Sequence, residues 1–189
     1  MNQIDYSSAI ASLVAGEVGI IPTDTLYGIV GSALKPPTVG LIYRLRERDL
    51  DKPLIVMLSS AAEIGRFVAV SDGQRELLEQ LWPGPVSVIL RCQNEALAYL
   101  HRNSGGVAFR VPANPALREF LKATGPLVAP SANPQGSEPA TSVEEAQNYF
   151  GDRVAFYIDG GRLVGEASAL IDLRTDTPHI LRARQGIEV

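Results

Sequence analysis

Short apolar runs, each cut off by a proline, a glycine or a small polar cluster, recur along the whole chain and alternate with segments of helical period. Runs this short and this rich in β-branched residues suit buried strands, and strands that alternate with helices specify an α/β domain. The strand candidates are residues 18–21, stopped by Pro22, then 54–58, 86–91, 107–110, 127–129, 155–158 and 169–173, with 180–182 at the end. The first helix candidate is 5–15, where Tyr6, Ala9, Ile10, Leu13 and Val14 form an apolar stripe closed by Gly16. A second lies around Val39, Ile42, Tyr43 and Leu45 and runs on into the charged stretch from Arg44 to Lys52. Further helices are expected at 61–67, at 73–81 capped by Asp72, at 115–123 capped by Asn114, and at 143–150. The last has a capping box in which Ser142 accepts from the backbone three residues on while Glu145 reaches back.

At 189 residues, without an internal repeat or a linker, the chain is expected to be one domain over 1–189. With 46% apolar and 20% charged residues it can build an ordered core without a disulfide or structural metal, and its one cysteine, Cys92, fits a reducing cytoplasm. The first residues lack the basic and apolar regions of a signal peptide, and no apolar run approaches the roughly 18 residues of a membrane span. The balance of 17 Lys+Arg against 21 Asp+Glu, a net charge of −4, argues against a protein that grips long nucleic acid through its phosphates. It leaves room for a small anion held by a few converging arginines.

Phosphate-loop and dinucleotide fingerprints are absent, and His101 and His179 do not stand in a metal-ligand spacing. What remains is a set of polar or cationic groups at the ends of apolar strands. Thr23-Asp24-Thr25 follows the first strand, and read alone it is an ordinary turn in which Asp24 and Thr25 bond their own backbone. Arg46, Arg48 and Lys52 surround the break before strand 54–58, either as a solvated helix end or as a phosphate-binding cluster. Arg110 ends an apolar strand, where its charge must meet solvent or an anion. Ser131-Ala132-Asn133 sits between two prolines, and a basic segment with Arg182 and Arg184 closes the chain.

Taken together and in this order, Pro22-Thr23-Asp24-Thr25-Leu26-Tyr27-Gly28, the pair Arg46 and Arg48 leading into Lys52-Pro53-Leu54, Trp82-Pro83-Gly84-Pro85, Val107-Ala108-Phe109-Arg110-Val111-Pro112 and Pro130-Ser131-Ala132-Asn133 resemble the YrdC family. The resemblance runs from the first strand to Arg182 and is closest to the short members of the family. It implies a single-domain twisted mixed sheet with flanking helices and a large cationic cleft. It also implies an L-threonylcarbamoyladenylate synthase, which converts L-threonine, bicarbonate and ATP, with Mg²⁺ held through the ATP, into threonylcarbamoyl-AMP and pyrophosphate. A tRNA threonylcarbamoyl transferase complex would be the downstream acceptor, with at most weak tRNA contact.

Carried over by motif position, the resemblance assigns Thr25 to the substrate threonine and Arg110 to its carboxylate, with Ala129 lining and Ser168 closing that pocket. Arg48 and Lys52 would hold ATP phosphates with Arg46 beside them; Ser131 and Asn133 complete the nucleotide site, Arg182 reaches it, and Gly106 and Pro139 line it. By the same resemblance Arg46, Arg48, Ser131 and Asn133 would carry the chemistry. Two departures stand out: Arg46 replaces the family's lysine, and Met57 stands where longer members carry a threonine-contacting histidine. The alternatives are an RNA-binding module and a carbamoyl-handling domain of the same fold.

Overall fold

A computed structural model describes residues 4–102 and 104–187. Among the described residues nine strands form one mixed sheet: β1 (Gly19–Pro22), β2 (Tyr27–Ser32), β3 (Ile55–Met57), β4 (Val86–Arg91), β5 (Gly106–Arg110), β6 (Leu127–Val128), β7 (Phe156–Tyr157), β8 (Ala169–Leu173) and β9 (His179–Arg182). Their order is β7-β1-β2-β6-β3-β5-β4-β8-β9. Pairs β1/β7, β3/β5 and β4/β8 are parallel and the others antiparallel. The helices are α1 (Ile10–Ala15), α2 (Pro36–Leu45), α3 (Asp72–Leu81), α4 (Ala98–His101), α5 (Pro115–Thr124) and α6 (Val143–Phe150).

Strand period explains how the layers form. Successive side chains point to opposite faces, so Ile20, Ile29, Val56 and Val128 enter one core while Ile21, Val30, Met57 and Leu127 enter another. The first core is shared with Val39 and Ile42 of α2, Leu78 of α3 and Phe150 of α6. The second is closed by Leu13 of α1 and by Leu117, Phe120 and Leu121 of α5. In β4, β5 and β8 only one face is built into these cores, through Val86, Val88, Val107, Phe109, Ala169 and Ile171. The opposite face carries Ser87 and Arg110, and there the chain places polar groups where β1, β2, β3 and β6 carry their second hydrophobic layer.

Several expectations are corrected here. The helix expected to run on through the charged stretch stops at Leu45, so Arg46 to Lys52 form a turn instead. Segment 61–66 is a 3-10 turn, and helix α3 is capped by Ser71, whose hydroxyl accepts from Gln74 N, instead of by Asp72. Ser142 does accept from Glu145 N, but the Glu145 carboxylate reaches Thr141 N at 2.8 Å. Gly16 closes α1 with φ 101°, a left-handed conformation that favours glycine. Strand β2 and helix α4 have no counterpart among the expected elements.

Candidate active site

The turn after α2, the Thr23–Tyr27 loop, the end of β5, the segment after β6, the start of β8 and the end of β9 converge on one cavity. Of the residues singled out in the sequence, Thr25, Arg46, Arg48, Arg110, Ala129, Ser131, Pro139, Ser168 and Arg182 line it.

One wall is a threonine and arginine cluster. Arg110, only 5% exposed, donates from Nη1 to Thr25 Oγ1 at 3.0 Å and forms an ion pair from Nη2 with Asp24 Oδ1 at 2.5 Å. The second Asp24 oxygen accepts from Ala113 N at 2.8 Å, so this carboxylate braces the loop against the chain just past β5. Thr23 and Thr25 share a hydroxyl hydrogen bond of 3.0 Å. Burial lowers the Arg110 pKa, Asp24 opposes that fall, and Arg184 and Arg182 add to it. Arg110 Nε is buried without a partner. Met57 fills the space beside the guanidinium, with its sulfur 3.8 Å from Nη2.

The facing wall is built by Arg46. This residue is 4% exposed and its guanidinium donates from Nε to Asn133 O at 2.9 Å and from Nη2 to Asn133 Oδ1 at 3.2 Å and Ser131 Oγ at 3.3 Å. Nη1 is buried with no partner. Burial first and the neighbouring Arg48 second lower the Arg46 pKa to about 10. Arg48 is tied from Nε to Lys52 O at 3.1 Å and from Nη2 to Pro53 O at 3.1 Å. Arg182 donates from Nε to Ser168 O at 2.8 Å, and Ser168 shares a 2.9 Å hydrogen bond with the fully buried Ser87 of β4. Burial lowers the pKa of both Arg48 and Arg182. Among the described residues, Arg46, Arg48 and Arg182 form no ion pair, so three partly desolvated guanidinium groups face the cavity without a carboxylate.

Three expected site residues stand elsewhere. Asn133 lies behind Arg46, and its amide nitrogen is bound to Pro134 O at 3.0 Å and Ser137 O at 2.7 Å, so it positions the guanidinium. The Lys52 ammonium is exposed and pairs with Asp49 at 2.7 Å; its backbone carbonyl is what holds Arg48. Gly106 begins β5 where Arg110 ends it, roughly 13 Å away at the rise of a strand, and packs against Ile89 and Arg174. Sequence reading passed over the role of Asp24 as the counter-charge of Arg110, and over Ser87. The only available hint of Asp24 was that an arginine at the end of an apolar strand must meet solvent or an anion, and Asp24 is the carboxylate of the neighbouring polar loop.

A family model for the Sua5/YciO/YrdC domain, described as telomere recombination, matches residues 11–184. A Mycobacterium tuberculosis protein provisionally named threonylcarbamoyl-AMP synthase is 35% identical over 178 residues, covering 93% of this chain and 82% of that protein. The threonylcarbamoyl-AMP synthase of Bacillus subtilis is 31% identical over 187 residues, 96% of this chain but 54% of its own length. Pyrococcus abyssi Sua5, solved in complex with L-threonine, superposes with a TM-score of 0.85 at 28% identity over 93% of this chain. The chain spans about half, 52%, of that Sua5 chain.

Proposed function

Because the chain belongs to the Sua5/YciO/YrdC family, we propose that it converts L-threonine, bicarbonate and ATP into threonylcarbamoyl-AMP and pyrophosphate, a nucleotidyl transfer carried out by one catalytic domain. The observation that carries this reading is the cavity itself. Three guanidinium groups without carboxylates suit a polyanion on one wall, and the Thr25, Arg110 and Asp24 cluster suits a small amino acid on the other.

In this reading Arg110 and Thr25 hold the threonine carboxylate and hydroxyl, with Ala129 and Ser168 along the same pocket. The threonine amine loses a proton and adds to the bicarbonate carbon, giving a carbamate and water. A carbamate oxygen then bonds to the α-phosphorus of ATP in line as the bond to the bridging oxygen breaks, and that electron pair leaves with pyrophosphate. No side chain becomes covalent. Arg46, Arg48 and Arg182 stabilise charge on the phosphates, Ser131 and Pro139 shape the nucleotide side, and Asn133 acts through Arg46. Among the described residues no group of three or more His, Cys, Asp or Glu converges as a metal site. As the family resemblance implies, Mg²⁺ would come with the ATP substrate, held by phosphates and water. The product would pass to a transferase complex that modifies the tRNA adenosine next to the anticodon. No helix among the described residues is long and apolar enough to cross a membrane.

The test is pyrophosphate release from ATP with threonine and bicarbonate omitted in turn. Dependence on both supports the synthase; release that ignores either one refutes it. Arg48→Ala and Ser131→Ala are expected to abolish adduct formation while keeping the wild-type circular dichroism spectrum.

A further inference from the structure

Ser87 of β4 is fully buried and does not line the cavity, yet its hydroxyl lies on the face of the sheet that carries Arg110. Strand register places it there. β4 pairs antiparallel with β5 through Val88 opposite Phe109, and the next step along both strands sets Ser87 across from Arg110. β4 pairs parallel with β8 through Ser87 beside Leu170, so Ser168, two residues before Leu170, shares the face of Ser87. Among the described residues Ser168 Oγ, at 2.9 Å, is the one hydrogen-bond partner of the Ser87 hydroxyl.

Two hydroxyls can share such a bond in either sense, and here burial decides which. A buried O–H without an acceptor carries the full cost of its lost water. With Ser168 Oγ as its single partner, Ser87 gives its proton there. Ser168 Oγ also accepts from Arg182 Nη2 at 3.4 Å. A hydroxyl oxygen has two lone pairs, and these two donors take both, so the remaining capacity of Ser168 is its own proton. Ser168 lines the cavity, where that proton can meet an acceptor. The backbone around it is fixed separately. Arg182 Nε donates to Ser168 O at 2.8 Å, and Arg184 Nη1 donates to Ala167 O at 3.1 Å and Glu166 O at 2.5 Å. What Ser87 adds is the sense and direction of one hydroxyl.

We propose that Ser87 is a positioning residue for the amino-acid substrate: it holds the Ser168 hydroxyl as a donor, which meets a carboxylate oxygen and offers nothing to an ammonium. Arg110 presents its guanidinium on the same face. The two donors together select the orientation that puts the carboxylate against this face and leaves the amine free to react. The proposal rests on the cavity taking L-threonine, and its test works without turnover.

L-threonine and ATP are each titrated calorimetrically, one without the other, into the wild type, Ser87→Ala, Ser168→Ala and the double variant. Each single variant is expected to weaken L-threonine binding by about fivefold, the effect of one neutral hydrogen bond. The double variant should lose no more than Ser168→Ala alone, because Ser87 acts through Ser168. ATP binding should stay within about twofold throughout, since Arg182 keeps its bond to the Ser168 carbonyl. A merely structural serine would lower both affinities alike or add its loss to that of Ser168→Ala. Either result overturns the proposal, as does a Ser87→Ala protein that binds threonine like the wild type. A wild type that does not bind L-threonine removes the synthase reading along with the proposal. Should the threonine contrast hold while pyrophosphate release fails, the synthase reading falls and the role of Ser87 stands.

Discussion

Arg110 is almost fully buried and its charge is balanced by one residue, Asp24, at 2.5 Å. A buried pair of this kind is poor evidence of stabilisation, but breaking it from one side is costly, because the surviving charge stays in a low-dielectric setting. Asp24→Ala is therefore expected to lower stability by about 3–5 kcal/mol. The double variant Asp24→Ala/Arg110→Met should be less destabilised than Asp24→Ala alone, and urea denaturation of the three proteins measures the difference. Arg46 poses another question, since the family resemblance implies a lysine at this position. Its Nε and Nη2 serve three acceptors, Asn133 O, Asn133 Oδ1 and Ser131 Oγ, in a plane that one ammonium cannot reproduce. Arg46→Lys is expected to cost about 1–2 kcal/mol of stability through these lost bonds and to cut kcat/KM for ATP by about tenfold. A variant with wild-type kinetics would show that the charge alone matters at this position.

At the scale of elements the site is made of strand ends and the turns that follow them. Where an apolar run ends in a polar group, the sequence marks both the strand and the position of the group, which is why β4, β8 and α6 agree with their expected limits and Arg110, Ser131 and Ser168 fall on one cavity. Period could not reveal β2, whose Tyr27-Gly28-Ile29-Val30-Gly31 resembles a loop until β1 and β6 bury it on either side. Nor could it place the charged turn, because what ends α2 at Leu45 is tertiary: Gln135 accepts from Asp49 N at 3.1 Å and donates its own backbone N–H to Arg46 O at 2.7 Å. Gly106, assigned by motif position to the nucleotide, begins β5 a strand's length from Arg110 and does not line the cavity. The coil leading into β8 provides an element-scale prediction. A Cβ on Gly165 would sit 2.3 Å from Thr25 O, a backbone atom that cannot turn aside. Gly165→Ala should push the two segments apart and raise KM for threonine several-fold with a smaller change for ATP, and steady-state kinetics with each substrate varied in turn will show whether the displacement stays on the threonine side.

Over the whole molecule, a net charge of −4 coexists with a cavity holding Arg46, Arg48, Arg110 and Arg182, of which only Arg110 has a carboxylate within ion-pair distance among the described residues. These cations repel one another, since Arg48 lowers the pKa of Arg46 and Arg182 that of Arg48. The fold bears this repulsion without ligand and an anion relieves it. By mass action alone ATP at a hundred times its dissociation constant should stabilise the protein by about 2.7 kcal/mol, seen as a rise in Tm, and the relieved repulsion enters through the size of that constant. Two controls separate this account from simple ligand contact. Added salt should shrink the ATP-dependent rise, because it screens partly exposed charges, and Arg48→Ala should shrink it further. In the absence of ATP, Arg48→Ala removes one source of repulsion, so its Tm should equal or exceed that of the wild type even though its activity is lost. A lower Tm for that variant would mean that the bonds from Arg48 to Lys52 O and Pro53 O outweigh the repulsion, and the arginine cluster would then be a structural device as well as a phosphate site.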